Sequence, residues 1–173
     1  MPIKRLFIFV EGEDDLRFFN YAKDLIFKDE YDLREVRTYA KKKYKQVNNF
    51  LKSIKAMDAD YVFVSDINAE PCMTAKKNSL LNEYKQVDKE SIIIVVKEIE
   101  SWYLAGLNDK KARTLGLKSF NTTDHITKEM FNDLIPKKFD SKIDFMIEVL
   151  NGFSLNVSKR KNKSLEYFIE KYS

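Results

Sequence analysis

Apolar residues run almost without interruption from Ile3 to Val10, then recur at helical spacing at Leu16, Phe18, Phe19, Ala22, Leu25 and Ile26. The first pattern predicts a strand buried on both faces of a parallel sheet; the second predicts a helix whose first-turn acids favour its dipole. Leu33 to Ala40 alternates apolar and charged residues, the period of a strand with one wetter face, near a sheet edge. Tyr44 to Met57 returns to helical spacing through Val47, Phe50, Leu51 and Ile54, and Tyr61 to Val64 is a short buried run ending in Ser65-Asp66. Lys76 to Val87 reads as a helix, Ser91 to Val96 as a β-branched strand and Ile99 to Leu107 as a helix again. This β-α alternation predicts an α/β fold with a mainly parallel central sheet flanked by helices.

Beyond Leu107 the pattern predicts short helices at about Lys128 to Ile135, Ser141 to Leu150 and Ser164 to Tyr172, with a strand signal only at Leu155 to Val157. The expected organisation is an α/β core over residues 1–107 and a helical C-terminal extension over 108–173 packed on the same domain. The 173 residues, 44% hydrophobic, suffice for one well-buried core, and thirteen Phe and nine Tyr argue against disorder despite the 34% charged fraction. The apolar run before Glu11 is too short to span a membrane and lacks a small-residue cleavage site, so the expectation is no membrane and a cytoplasmic location. One cysteine, Cys72, and one histidine, His125, supply neither a disulfide framework nor a structural zinc site. The four glycines, at 12, 106, 116 and 152, form no GxGxxG motif or P-loop.

A net charge of +4 says little about partners; its distribution says more. From Arg37 to Lys55 the chain carries Arg37, Lys41, Lys42, Lys43, Lys45, Lys52 and Lys55 with no acid among them, interleaved with Tyr39, Tyr44 and Phe50. A second basic cluster is Lys159, Arg160, Lys161 and Lys163. Both are read either as solvated surface or as contacts to a nucleic-acid backbone, with Tyr44 available to stack on a base.

The acids at the predicted strand ends are the strongest chemical signal. Glu11 follows the first strand, Asp66 and Asn68 follow the Tyr61 to Val64 strand, and Glu98 and Glu100 follow the next. Ligands of open α/β sheets bind beyond the carboxyl ends of parallel strands, where such loops converge. Carboxylates gathered there repel one another unless a cation compensates, and Mg²⁺ commonly needs only one or two of them plus substrate phosphate. Each acid taken singly also reads as a helix cap or a solvated loop residue. Gly12 is expected to let the backbone turn tightly after Glu11. His125 reads as a surface residue, Cys72 as a small loop residue, and Trp102 as core packing with its indole N–H hydrogen-bonded.

Four segments resemble parts of Toprim-domain proteins, which carry the metal-binding module of topoisomerases, primases and OLD-type and smaller stand-alone nucleases. Phe7-Ile8-Phe9-Val10-Glu11-Gly12 followed by Asp14-Asp15 resembles the first family motif, and Val62-Phe63-Val64-Ser65-Asp66-Ile67-Asn68 the strand-then-DxD motif. Glu98-Ile99-Glu100-Ser101-Trp102-Tyr103-Leu104-Ala105 resembles the E-x-W helix start of small Toprim-like proteins, and Arg160-Lys161-Asn162-Lys163-Ser164-Leu165 resembles their C-terminal end. The likeness covers Pro2 to about Leu107 well and the remainder loosely.

The resemblance implies a Toprim-like Rossmannoid fold and a Mg²⁺- or Mn²⁺-dependent nuclease cleaving DNA or RNA, with a defence or mobile-element role by family analogy. It implies Asp66 as principal metal ligand, Asn68 as auxiliary ligand, Glu11 as metal ligand or general base, and Glu100 as a third-shell or second-metal ligand, with Glu98 as fallback. Lys41, Lys42, Lys43, Tyr44, Lys45, Lys159, Arg160 and Lys161 would contact nucleic acid. The departure is Asn68, a neutral residue at the second DxD position, with Glu70 two residues on as a substitute. The alternative is therefore a catalytically weakened nucleic-acid-binding or protein-interaction module on the same scaffold. A protein partner or homodimer is left open.

Overall fold

The computed structural model describes residues 1–172, which form two compact units, residues 1–95 and 96–172. The first contains the strands β1 (Arg5–Val10), β2 (Leu33–Thr38), β3 (Asp60–Asp66) and β4 (Ile92–Val95), with helices α1 (Glu13–Ile26), α2 (Tyr44–Ala56) and α3 (Met73–Glu83) between them. The described strands make one all-parallel sheet in the order β2-β1-β3-β4, so β2 lies at an edge, as its alternating pattern predicts.

The chain steps one way from β1 to β2, then crosses back over β1 to reach β3. Right-handed crossovers therefore put α1 on one face of the sheet and α2 and α3 on the other. Side chains alternate along each strand. Phe7, Phe9, Tyr61, Phe63, Ile92 and Ile94 thus pack with Val47, Leu51 and Ile54 of α2 and Leu80 of α3, while Leu6, Ile8 and Val10 point to the face that carries α1 with its buried Phe18, Phe19, Ala22 and Ile26. Burial on both faces is why these strands read as unbroken apolar runs.

Helix α3 begins three residues earlier than its apolar spacing predicts because the Cys72 sulfur accepts the Ala75 N–H at 3.5 Å and caps it. It also ends sooner, at Glu83, with Tyr84 and Val87 still buried in the turn that follows.

The second unit is helical: α4 (Glu100–Ala105), α5 (Asp109–Leu115), α6 (Lys128–Leu134), α7 (Lys142–Asn151), α8 (Leu155–Lys161) and α9 (Lys163–Tyr172). The expected strand at Leu155 to Val157 is instead the first turn of α8, because the Ser154 hydroxyl accepts the Val157 N–H at 3.4 Å and starts a helix that runs on to Lys161. Helix α5 was not anticipated. Its start is capped by Asn108, which accepts the Lys111 N–H at 2.8 Å, and its end by Gly116 at φ +90°, the left-handed region that glycine enters without strain.

Two sequence segments lock this unit together. The buried Asn162 side chain donates to Ser101 Oγ at 3.3 Å and Thr123 Oγ1 at 3.2 Å, and accepts from Ser164 Oγ at 2.9 Å and the Leu165 N–H at 3.0 Å. Ser164 Oγ in turn accepts the Trp102 indole N–H at 2.8 Å, and the Trp102 ring stacks on Phe168. Every polar atom of the Asn162 amide is thus paired in a dry setting, where a lost partner costs about 1–3 kcal/mol. Asn162→Ala should therefore lower the unfolding free energy by about 3 kcal/mol, read as a drop in urea midpoint; an unchanged midpoint would show that the network carries no stability.

Candidate active site

A strand order that reverses direction next to β1 leaves a crevice above the carboxyl ends of β1 and β3, because the loops leaving them run to opposite faces of the sheet. Glu11 is the first residue past β1, and Asp66 is the last of β3. The fold brings them together: Glu11 Oε1 accepts the Asp66 backbone N–H at 3.0 Å and also the Ser65 hydroxyl. Two donors on one carboxylate oxygen fix the orientation of the group, and charge-assisted bonds of this kind are the stronger ones.

The turn into α1 is closed by Asp15, whose Oδ2 accepts the Gly12 N–H at 3.3 Å, and Asp14 pairs with Arg17 at 2.8 Å. The expectation that Gly12 provides a tight turn does not hold. Its φ of −140° is extended backbone open to any residue, and an added Cβ would meet only Asp15 Oδ2, at 3.7 Å.

Tyr39, the first residue past β2, closes the other side. Its N–H donates to the Val10 carbonyl at 2.9 Å, its hydroxyl donates to the Val64 carbonyl at 3.0 Å, and its ring lies 4.2 Å from that of Phe63. Burial, then the charge of Glu11, push the Tyr39 phenol well above its ordinary value, with the Ser65 hydroxyl opposing them. Tyr84, whose ring meets those of Tyr39 and Tyr44, is pushed up to about 12 by burial first, then by Tyr44, Glu83 and Glu11. The sequence reading missed Tyr39 and Ser65 as members of the site. Their signal was positional: one directly follows a strand and the other directly precedes the acid.

Asn68 is exposed in the loop after β3 at φ +52°, a left-handed conformation that asparagine tolerates better than most residues. Lys41, Lys42, Lys43, Tyr44 and Lys45 are all exposed. They occupy the segment leading from Tyr39 into α2, and the Lys42 N–H donates to the Tyr39 carbonyl at 2.9 Å.

The remaining predicted residues belong to the second unit. Glu100, at the start of α4, is buried and ion-paired with Lys142 of α7 at 2.8 Å, and Glu98 accepts the Lys128 backbone N–H. Lys161 donates to the Leu107 carbonyl at 2.6 Å and lies 3.8 Å from Asp109, while Arg160 is exposed. Trp102 has the buried, hydrogen-bonded role expected of it, and His125 and Cys72 are exposed. Among the described residues, no group of three or more Asp, Glu, His or Cys side chains is arranged to hold a metal ion, and no helix is long and apolar enough to cross a membrane.

No protein-family model matches the chain, and no curated protein matches it in sequence. Among solved structures, the chain is similar to the C-terminal region of the Burkholderia pseudomallei OLD protein, at 17% identity and a TM-score of 0.49 over 97% of this chain and 98% of that one.

Two outcomes test this geometry. Tyr39, Tyr61 and Tyr84 are all held neutral beyond the ordinary tyrosine value of 10.0, Tyr61 chiefly by burial and up to about 12. The unfolded chain therefore sheds these protons first, so stability is intact below about pH 10 and falls as pH rises through about 12. Urea midpoints should decline across that range and decline less in Tyr39→Phe; midpoints independent of pH would contradict the burial of these phenols. Separately, Glu100→Gln removes the negative charge that pairs with Lys142, and Glu100→Leu removes the acceptor as well; the latter should cost about 1.5–3 kcal/mol by chemical denaturation, the range for a hydrogen bond to a charged group.

Proposed function

We propose that the chain is a divalent-metal-dependent nuclease of Toprim type that cleaves phosphodiester bonds in DNA or RNA. The observation that carries this reading is the meeting of Glu11 and Asp66 at the point where strand order reverses, with a run of exposed lysines leaving the adjacent strand end. Two carboxylates on neighbouring strand tips, with a neutral amide at Asn68, would supply an all-oxygen donor set of the kind that suits Mg²⁺ or Mn²⁺ sharing its ligands with a substrate phosphate. Such an ion supplies charge stabilisation at the transferring phosphoryl group and lowers the pKa of an attacking water.

The chain's own residues do the rest. Asp66 and Glu11 would hold the ion, and Asn68 would contribute its amide oxygen. Glu11 is the candidate base for the attacking water, its carboxylate oriented by Ser65 Oγ and the Asp66 N–H. Tyr39, neutral at any ordinary pH, keeps the adjoining wall apolar and uncharged. Lys41, Lys42, Lys43 and Lys45 would meet the strand's phosphates and Tyr44 a base. Lys159, Arg160 and Lys161 form a second basic surface on this reading. For Glu100 to act as ligand of a second ion, its ion pair with Lys142 would have to open.

Asn68 favours a second reading, a binding module that has lost turnover, because a neutral amide reduces the charge available to hold an ion. Purified chain incubated with plasmid and single-stranded substrates plus Mg²⁺ or Mn²⁺ decides between the two. Cleavage reduced about 100-fold or more by Glu11→Gln and by Asp66→Ala is the expected outcome; cleavage that survives both overturns the nuclease assignment. A native chain that is inert, and gains metal-dependent cleavage on Asn68→Asp, is the binding module.

A further inference from the structure

Beside the edge strand, on the face of the sheet that carries α2, lies a pocket of about 190 Å³ lined by Phe9, Arg37, Lys42, Gln46, Val47 and Phe50. We propose that it receives a single unpaired nucleobase of a substrate strand, which makes single-stranded nucleic acid the preferred ligand. The proposal rests on the nuclease reading and specifies its substrate.

The volume lies below the roughly 300 Å³ at which pockets for drug-sized ligands begin, and so suits one flat ring. The floor is apolar and buried, formed by Phe9 and Val47. One wall is a stacked pair: the Arg37 guanidinium lies 4.6 Å over the Phe50 ring, while Phe50 packs edge-on against Phe7 and Phe9. A guanidinium plane held on an aromatic ring is a platform on which a base stacks whatever its identity.

Charge favours a base over a free anion here. Arg37 is already ion-paired with Glu35, so the wall is flat and close to neutral, and the uncompensated cations lie on the exposed Lys41, Lys42, Lys43 and Lys45. Gln46 Oε1 accepts the Lys43 N–H at 3.1 Å, which leaves its Nε2 hydrogens as donors for a base carbonyl or ring nitrogen. The floor residue Phe9 precedes Glu11 by two positions on β1, about 6.6 Å at the usual rise, so a strand with a base in the pocket runs its backbone along the lysines toward the carboxylates. Paired, stacked bases of a duplex cannot enter.

The test is fluorescence anisotropy in EDTA with a labelled single strand, its abasic counterpart with the same phosphates, and a duplex of equal length. The single strand should bind at least about fivefold more tightly than the abasic strand and more tightly than the duplex. Arg37→Lys, which keeps the charge and loses the plane, should lower single-strand affinity to near the abasic value without changing its salt slope. Lys41→Gln combined with Lys43→Gln should weaken all three ligands alike and flatten the salt slope. Urea midpoints of the variants confirm folding.

Equal affinity for the strand with and without bases, a preference for duplex, or no binding at all overturns the proposal. Equal affinity together with cleavage abolished by Glu11→Gln sinks the pocket alone. Base-dependent binding together with cleavage indifferent to Glu11→Gln sinks the catalytic assignment and leaves the pocket standing.

Discussion

A carboxylate at the mouth of a parallel sheet must be held by something, and in this chain it is held by the neighbouring strand. Glu11 leaves β1 and is caught by the Asp66 N–H and the Ser65 hydroxyl at the end of β3. The reversal of strand order at this point sends the two following segments to opposite faces of the sheet. The same contact ties two strand tips together and orients an acid. Tyr39 completes the arrangement from the third strand, bracing Val10 with its backbone and Val64 with its hydroxyl.

Similarity of short motifs has two physical sources here, and they separate by location. The Phe7 to Gly12 and Val62 to Asn68 segments place polar atoms at an open strand end, where packing alone would not demand an acid. The Glu98 to Tyr103 and Arg160 to Leu165 segments are each other's partners: Trp102 and Ser101 meet Ser164 and Asn162 in a fully paired, buried network. In this chain neither segment satisfies its buried polar groups without the other. Glu100 sits in that setting with Lys142 as counter-ion, so its residue type is accounted for by stability.

Much of the first unit was legible because double burial leaves an unmistakable signature. Runs such as Ile8 to Val10 and Ile92 to Val95 read as strands buried on both faces, although β4 lies at the edge of the sheet, and Val47, Leu51 and Ile54 mark the buried stripe of α2. Capping chemistry was harder to weigh. Asn108 and Gly116 bracket α5 with standard start and stop signals, yet seven residues with only Ala112 and Leu115 buried give too little periodicity to register. At Leu155 to Val157 the apolar residues on either side of Asn156 match the period of a strand, and the Ser154 cap starts a helix there instead. The site was legible in its acids and not in its walls. Tyr39 looks like one more strand residue until the register with β1 shows that it stands beside Glu11, and Arg37 looks like a surface cation until Phe50 is found beneath it.

The electrostatic problem for any phosphate ligand is that its anchoring site is itself acidic. Glu11 and Asp66 repel an approaching phosphodiester, and Asn68 adds no charge that would draw a compensating ion more strongly. The offset lies in the segment between Tyr39 and α2, where exposed lysines follow one another with no intervening acid and start within one hydrogen bond of Tyr39. Because these cations are solvated, their pull is screened by salt over roughly 10 Å at 0.1 M. Burial has the opposite consequence for Tyr39, whose phenol stays uncharged and adds no further repulsion. On the proposed reading, such a site would recognise its ligand in two separable parts, a salt-sensitive attraction along the lysine loop and a salt-insensitive fit against the apolar faces of Phe9 and Phe50, and only a ligand that offers both a charged backbone and a flat apolar group would use both.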